Sequence, residues 1–226
     1  MLKEQLDVVV CQKLELNSRT KPNLTKWKKF LHNLQEPKQT IHIALVGKYV
    51  ELKDSYISIA ESLIHSGSKN KTKVNLHWIH SSKINDKNCT SLLKGLEGII
   101  VAPGFGSRAI EGKILAVKYA RINKIPFLGI CLGLQCAVIE FARNVLMMED
   151  AHTIEIDSNT KYPVISLMEE QKNLEKMGGT MRLGSYECNV VKNTLLHQIY
   201  SQTIIQERHR HRFEFNNEFL KEFESK

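Results

Sequence analysis

At 226 residues, with 42% apolar and 25% charged side chains, the chain has material for one sizeable hydrophobic core and reads as a single domain with short appendages. It holds no apolar run long enough for a membrane span, and its amino terminus, MLKEQLDVVVCQK, carries charges inside the apolar stretch rather than ahead of it, so neither a membrane anchor nor a cleaved signal is expected. The formal charge of +8 invites nucleic-acid or acidic partners, but residues 1–38 hold half of the excess, eight Lys/Arg against four Asp/Glu, and no base-reading or phosphate-tracking module accompanies them, so nucleic acid is not an expected partner.

Taken in chain order, the first element is a basic amphipathic helix in TKWKKFLHNLQEP. Trp27, Phe30, Leu31 and Leu34 share its apolar face, Thr25 is a cap and Pro37 a stop. From Thr40 onward apolar strands alternate with helices. IHIALVG (41–47) reads as a buried strand, KDSYISIAESLIHSG as a helix ending at Gly67, and VNLHWIH (74–80) as a second strand. A short helix through SLLKGL leads to GIIVAPGFG, a strand running into a glycine loop. There follow helix EGKILAVKYARINK, strand PFLGIC and helix LQCAVIEFARNVL. This alternation implies right-handed crossovers and a mostly parallel sheet covered by helices on both faces. After Met148 the helical regularity weakens; MRLGSYECNVV and TIIQERHRHRFEF read as strands, with TLLHQIY a short helix between them and NNEFLKEFESK a last helical pattern.

Five cysteines, at 11, 89, 131, 136 and 188, are odd in number and lack CxxC pairs or zinc-ligand spacing, which fits reduced thiols in the cytoplasm and no metal site. In open α/β sheets ligands bind beyond the carboxyl ends of strands, so a site is expected in the loops that follow strands. In PFLGICLGLQCA, Cys131 stands between two glycines where a strand gives way to a helix. The pattern is that of a nucleophile elbow, and the helix N-terminus beyond it favours a thiolate. A small buried core thiol is the plain alternative for Cys131 and the preferred one for Cys136, five residues on.

The loop APGFGSRAIEGK resembles a phosphate loop but fails on spacing. Five residues separate Gly106 from Gly112, and Ile114 stands where a Ser or Thr would hold magnesium. It is better read as the neighbour of the elbow, offering the Gly104 N–H to a developing oxyanion opposite the N–H of Leu132, with plain turn chemistry as the competing reading. In ERHRHRFEF, strand alternation puts Arg208, Arg210 and Arg212 on one face and His209 and His211 on the other; the arginines either grip a carboxylate or phosphate or belong to a solvated edge strand.

Six segments in order, GKYVELKDSYISIAESL, APGFGSRAIEGK, GICLGLQCAVIEFAR, KYPVISL, GGTMRLG and ERHRHRFEF, closely resemble the glutamine amidotransferase domain of the CTP synthase family. The resemblance runs from Thr40 to the last residue, while residues 1–39 look like the tail of the family's synthetase domain and a linker. It implies a flavodoxin-like three-layer α/β sandwich with a mostly parallel central sheet. The implied activity is a class-I, triad-type glutaminase supplying ammonia from L-glutamine for the ATP-dependent amination of UTP to CTP.

Carried over by position, Cys131 is the nucleophile and the N–H groups of Gly104 and Leu132 form the oxyanion hole. Gly104, Leu132, Gly133, Leu134, Gln135, Glu155 and Arg212 bind glutamine, with Glu155 on the α-ammonium and Arg212 on the α-carboxylate. Arg108 falls in a loop the family associates with activation by GTP. The resemblance assigns no cofactor to this chain; ATP and Mg2+ belong to the synthetase domain, which is the implied partner in a homo-oligomeric enzyme. Three departures stand out: Ala102-Pro103 where Pro-Gly is usual, Ala109 where glycine is usual, and Leu134 where methionine is common. The family draws its general base and orienting acid from a His-Pro-Glu segment near the carboxyl end, and no histidine or proline follows His211 here. His152, His209 and His211 are the imidazoles left to weigh, and none sits where the motif predicts. The chain therefore reads as a truncated synthase, weak or inactive alone, with a non-catalytic glutamine-binding or regulatory module as the alternative.

Overall fold

The computed structural model describes residues 4–16, 22–167 and 182–226. The chain divides into two compact units, residues 1–40 with 62–73, and residues 41–61 with 74–226. The first contains α1 (Leu6–Lys13), α2 (Thr25–Gln35) and the later turns of α3 (Ile57–Asn70). Within it Trp27 stacks on Phe30 at 5.3 Å between centroids, and Phe30 meets His65 edge-on at 5.5 Å. Thr25 does not cap α2. Leu24 occupies that position, and the Thr25 N–H donates instead to Asn23 Oδ1 at 3.1 Å. Nor does Gly67 end α3: it lies buried inside the helix, and Lys71, at φ 53°, takes the left-handed conformation beyond Asn70.

The second unit is built on a four-stranded sheet of β1 (Gln39–Gly47), β2 (Thr72–His80), β3 (Gly98–Val101) and β4 (Phe127–Gly129), in the order β2-β1-β3-β4. β1 pairs parallel with β3, and β3 with β4, in a register that sets Val46 opposite Val101 and Val101 opposite Gly129. Their buried runs Ala44–Val46 and Ile99–Val101 are continuous rather than alternating, because a parallel strand between helices has no solvent face. Helices α4 (Cys89–Leu93), α5 (Ile110–Ile122) and α6 (Leu132–Asn144) complete the core, where Ile114, Val117, Leu132 and Ile139 cluster with Val46, Ile99 and Val101. Arg121 of α5 reaches the almost fully buried Glu140 of α6 at 2.8 Å, so two helices share one ion pair. The expected α/β fold with a mostly parallel sheet is present, and its strand order is that of flavodoxin-like sheets, whose switch point lies between the first and third strands.

Beyond α6 the chain holds strands that its sequence pattern does not show. β5 (Ala151–Thr153) and β6 (Tyr162–Ser166) pair in parallel, and neither stands out in the pattern because AHT has no apolar run and YPVIS carries a proline. β7 (Arg182–Asn189) and β8 (Ile204–His211) form an antiparallel hairpin around α7 (Leu195–Tyr200). β9 (Glu214–Phe215) then returns antiparallel to β6, and α8 (Leu220–Glu224) follows. Of the GGTMRLG segment, residues 178–181 lie outside the described residues, and its remainder opens β7.

The start of α5 is held against the turn Ser81–Lys83 with no room for a side chain. A Cβ on Gly112 would lie 1.8 Å from the Ser81 carbonyl oxygen and 3.3 Å from Ile84 Cβ. Gly112→Ala is expected to cost about 3 kcal/mol of stability, measured as a lowered urea midpoint with an unchanged slope.

Candidate active site at the carboxyl ends of the strands

The site is assembled from the loops that leave β1, β3 and β4. Where β4 ends, Cys131 adopts φ 54° and ψ −111°, a conformation that a non-glycine residue reaches only at a cost of about 1–3 kcal/mol. The turn is fixed by hydrogen bonds from the Ile130 N–H to Val101 O at 3.1 Å, from Gly133 to Ile130 at 2.9 Å, and from Gln135 to Cys131 at 3.1 Å. Both flanking glycines are required by backbone contact. A Cβ on Gly133 would lie 2.1 Å from Val101 O, and one on Gly129 would lie 2.6 Å from the Gly133 carbonyl group. Strand, turn and helix thus pass at main-chain distance, and the bend that results holds the cysteine at the head of α6.

The thiol is half-buried and lines a cavity of about 100 Å³ together with Gly104, Gln135, Glu155, His211 and Arg212. Of the residues singled out from the sequence, Cys131, Gly104, Gln135, Glu155 and Arg212 therefore meet at one place. Leu132 is buried in the core, and its backbone N–H and that of Gly104 both face the Cys131 sulfur. Gly133 serves the packing against Val101, while Leu134 is 58% exposed and does not line the cavity. The expectation of a depressed thiol pKa is overturned in direction. Burial pushes the Cys131 thiol above its ordinary value, outweighing the opposing pull of the Leu132 N–H, Lys113 and the Gly104 N–H. Cys136 is core filling, as expected: it is fully buried, and burial pushes its pKa up to about 12.

Two lysines that sequence reasoning did not select hold the loop after β3. Lys48, just past β1, donates from Nζ to the carbonyl of Phe105 and to that of Gly106 at 3.1 Å. Burial and the nearby Arg108 lower its pKa, against the opposing charge of Glu155. Lys113 of α5 donates from Nζ to Ala102 O at 2.7 Å and to Pro103 O at 3.4 Å. The residue that would be the lysine of a phosphate loop is thus turned inward under the loop, consistent with the failed spacing. Glu155 accepts from the Gly106 N–H at 3.2 Å, and Gln135 Nε2 donates to Phe213 O at 2.8 Å, joining the cavity wall to α6.

The expected row of three arginines is not formed. Arg208 and Arg210 are exposed on β8, but β8 ends at His211, and at the bend that follows Arg212 joins His211 in lining the cavity. Alternation holds only while the strand does. Of the three candidate imidazoles, His211 reaches the cavity. Its Nε2 is 2.7 Å from His209 Nδ1, and its Nδ1 is 3.6 Å from Glu214 Oε1, whose other oxygen pairs with Arg182 at 2.7 Å. His209 is lowered in pKa by burial and by Arg182. His152, lowered by burial and by Arg143, accepts from the Thr153 N–H at 2.9 Å and does not line the cavity. Arg108 is exposed and donates to Tyr49 OH at 3.3 Å. Among the described residues no group of three His, Cys, Asp or Glu is arranged to hold a metal ion, and no helix is long and apolar enough to cross a membrane.

The sequence pattern of the family described as Glutamine amidotransferase class-I matches residues 51–225, a span that contains the elbow and every residue of the cavity. The chain belongs to the class-I glutamine amidotransferases. Relatives include the CTP synthases of Christiangramia forsetii, 53% identical over 100% of this chain and 41% of that one, and of Flavobacterium psychrophilum, 56% identical over 97% and 41%. The CTP synthase of Methanocaldococcus jannaschii is 52% identical over 96% and 41%. The chain therefore spans about two fifths of the length of the curated relatives it matches. Among solved structures, the glutaminase domain of Trypanosoma brucei CTPS with bound acivicin superposes with a TM-score of 0.76 at 35% identity, covering 82% of this chain and 72% of that one. Against this family background the departure at Ala109 has a visible consequence, since it sits at φ 64° before α5, where a Cβ is disfavoured.

Two outcomes are expected from this geometry. Ala109→Gly should stabilise the chain by about 0.5–1 kcal/mol in thermal or urea melts, because it relieves a left-handed alanine. Iodoacetamide labelling of Cys131, followed by peptide mass spectrometry, should still be rising above pH 9.0, the ordinary thiol value, while Cys136 stays unlabelled. A labelling midpoint well below that pH would contradict the burial argument.

Proposed function

We propose that this chain is the glutaminase part of a CTP synthase, in which Cys131 attacks the side-chain amide of L-glutamine and releases ammonia for the amination of UTP to CTP. The observation that carries this reading is the convergence of a strained elbow cysteine, two backbone N–H groups facing its sulfur, a carboxylate and a guanidinium on one small cavity. In this reading the Arg212 guanidinium takes the α-carboxylate of glutamine and Glu155 takes its α-ammonium, which fixes the amide carbon over the sulfur. The N–H groups of Gly104 and Leu132 stabilise the oxyanion as the sulfur adds, and Gln135 contributes to the cavity wall.

The same proposal assigns residues 40–226 to the glutaminase domain and residues 1–39 to a connection with a synthetase part. Support comes from relatives that match along the whole chain, whereas the family pattern begins at residue 51. ATP, Mg2+ and UTP would act in that synthetase part, GTP would act as effector near Arg108, and the assembled enzyme would be a cytoplasmic homo-oligomer. Neither Lys48 nor Lys113 is left to bind a phosphate, since both donate to loop carbonyls.

A second reading, a non-catalytic glutamine-binding module, is favoured by one feature of the site. The thiol is raised rather than activated, and the His211 Nε2 is engaged with His209. Loss of a positioned general base is worth about 10² to 10⁴ in rate. Calorimetry with L-glutamine and an assay of glutamate release separate these readings. The glutaminase reading expects binding that weakens about 10- to 100-fold in Arg212→Ala, with slow glutamate release that vanishes in Cys131→Ala. Binding without any Cys131-dependent release selects the module. Absence of glutamine binding, or binding indifferent to Arg212, sinks both.

A further inference from the structure

Lys113 is the largest side chain in the chain's fully buried set, at 0% exposure, and among the described residues no carboxylate pairs with it. An unpaired ammonium in a core is costly, and apolar residues of similar volume commonly serve stability as well or better. The cost is visible in this fold, because burial, with Lys48 adding to it, lowers the Lys113 pKa to about 8 despite the opposing attraction of Cys136 and Cys131. What the ammonium does is equally visible. It accepts no bonds and donates two, to Ala102 O at 2.7 Å and Pro103 O at 3.4 Å, and it lies 3.4 Å from where a Cβ on Gly104 would be.

A trans peptide unit is planar, and its C=O and N–H point in opposite directions. The Pro103 carbonyl and the Gly104 N–H belong to one such unit. Drawing that carbonyl inward to Nζ therefore turns the Gly104 N–H outward, and it faces the Cys131 sulfur. The neighbouring Ala102 carbonyl is anchored by the same ammonium, and the proline at 103 carries no N–H that would compete. We propose that Lys113 is a positioning residue of this site, holding the Ala102 and Pro103 carbonyls from below so that the Gly104 N–H is aimed at the oxygen of a carbonyl under attack by Cys131. The inference rests on the reading of Cys131 as an acyl-transfer nucleophile and is independent of which amide it serves.

The test compares two reagents on the purified chain, each corrected with Cys131→Ala. p-Nitrophenyl acetate acetylates the sulfur by addition to its carbonyl, which places charge on oxygen before the ester C–O bond breaks and p-nitrophenolate leaves. Iodoacetamide alkylates by displacing iodide from saturated carbon and develops no oxyanion. Lys113→Met is expected to slow the Cys131-dependent release of p-nitrophenolate about tenfold or more, with iodoacetamide labelling changed less than about threefold at matched thiolate fraction. Lys113→Gln, which keeps an N–H donor group without the charge, should recover part of the loss. The thermal midpoint of Lys113→Met should equal or exceed that of the parent chain, a result that a purely structural lysine would not give. Equal slowing of both reagents, or no slowing of either, would overturn the inference. Should glutamine fail to protect Cys131 in the parent chain, the glutaminase reading falls while the two-reagent comparison still stands on its own.

Discussion

The main-chain contact at the end of β4 is the constraint on which the rest of the site depends. Gly129 and Gly133 allow strand, turn and helix to close to within a hydrogen bond of Val101, and the residue left at the apex has no choice but the strained φ of 54°. Strain of this kind persists only where surrounding packing over-determines it. Here the packing is the parallel core itself, because Val101, the residue that receives the turn, is also the one in register with Val46 and Gly129. A sulfur fixed by the core is not free to follow its substrate, so the loop opposite has to be equally well held.

That loop is held by charge rather than by hydrocarbon. Four of its carbonyls, at 102, 103, 105 and 106, accept from two lysines that approach from β1 and α5. With their oxygens turned toward the ammoniums, the intervening Gly104 presents its N–H to the cavity. Glu155 closes the arrangement by accepting from Gly106, which ties the β5 end of the chain to the same loop. Burial is the largest cause that raises Cys131 and lowers Lys113 and Lys48, so thiol and amines are pushed toward their neutral forms mainly by partial removal from water, with like charges adding to it at the two lysines. An acyl-transfer reaction in such a site draws on oriented dipoles more than on a preformed thiolate.

Sequence alone determined the alternation of strands and helices, the parallel sheet and the position of the elbow. These follow from runs of apolar residues long enough to show a period and from glycines at a turn. It also sorted Cys131 from Cys136, because one precedes a helix and the other lies within it. Tertiary structure decided the rest. β5 lacks an apolar run and β6 carries a proline, so neither shows as a strand in the sequence, and the arginine row expected from alternation breaks because β8 ends one residue before Arg212. The Cys131 pKa runs opposite to the direction that a helix N-terminus implies, since desolvation depends on how many atoms surround the sulfur and no local pattern counts them. Lys113 belonged to a legible motif, yet whether its ammonium meets a phosphate, solvent or two carbonyls is settled by the packing of α5 against the sheet, a contact between residues far apart in the chain.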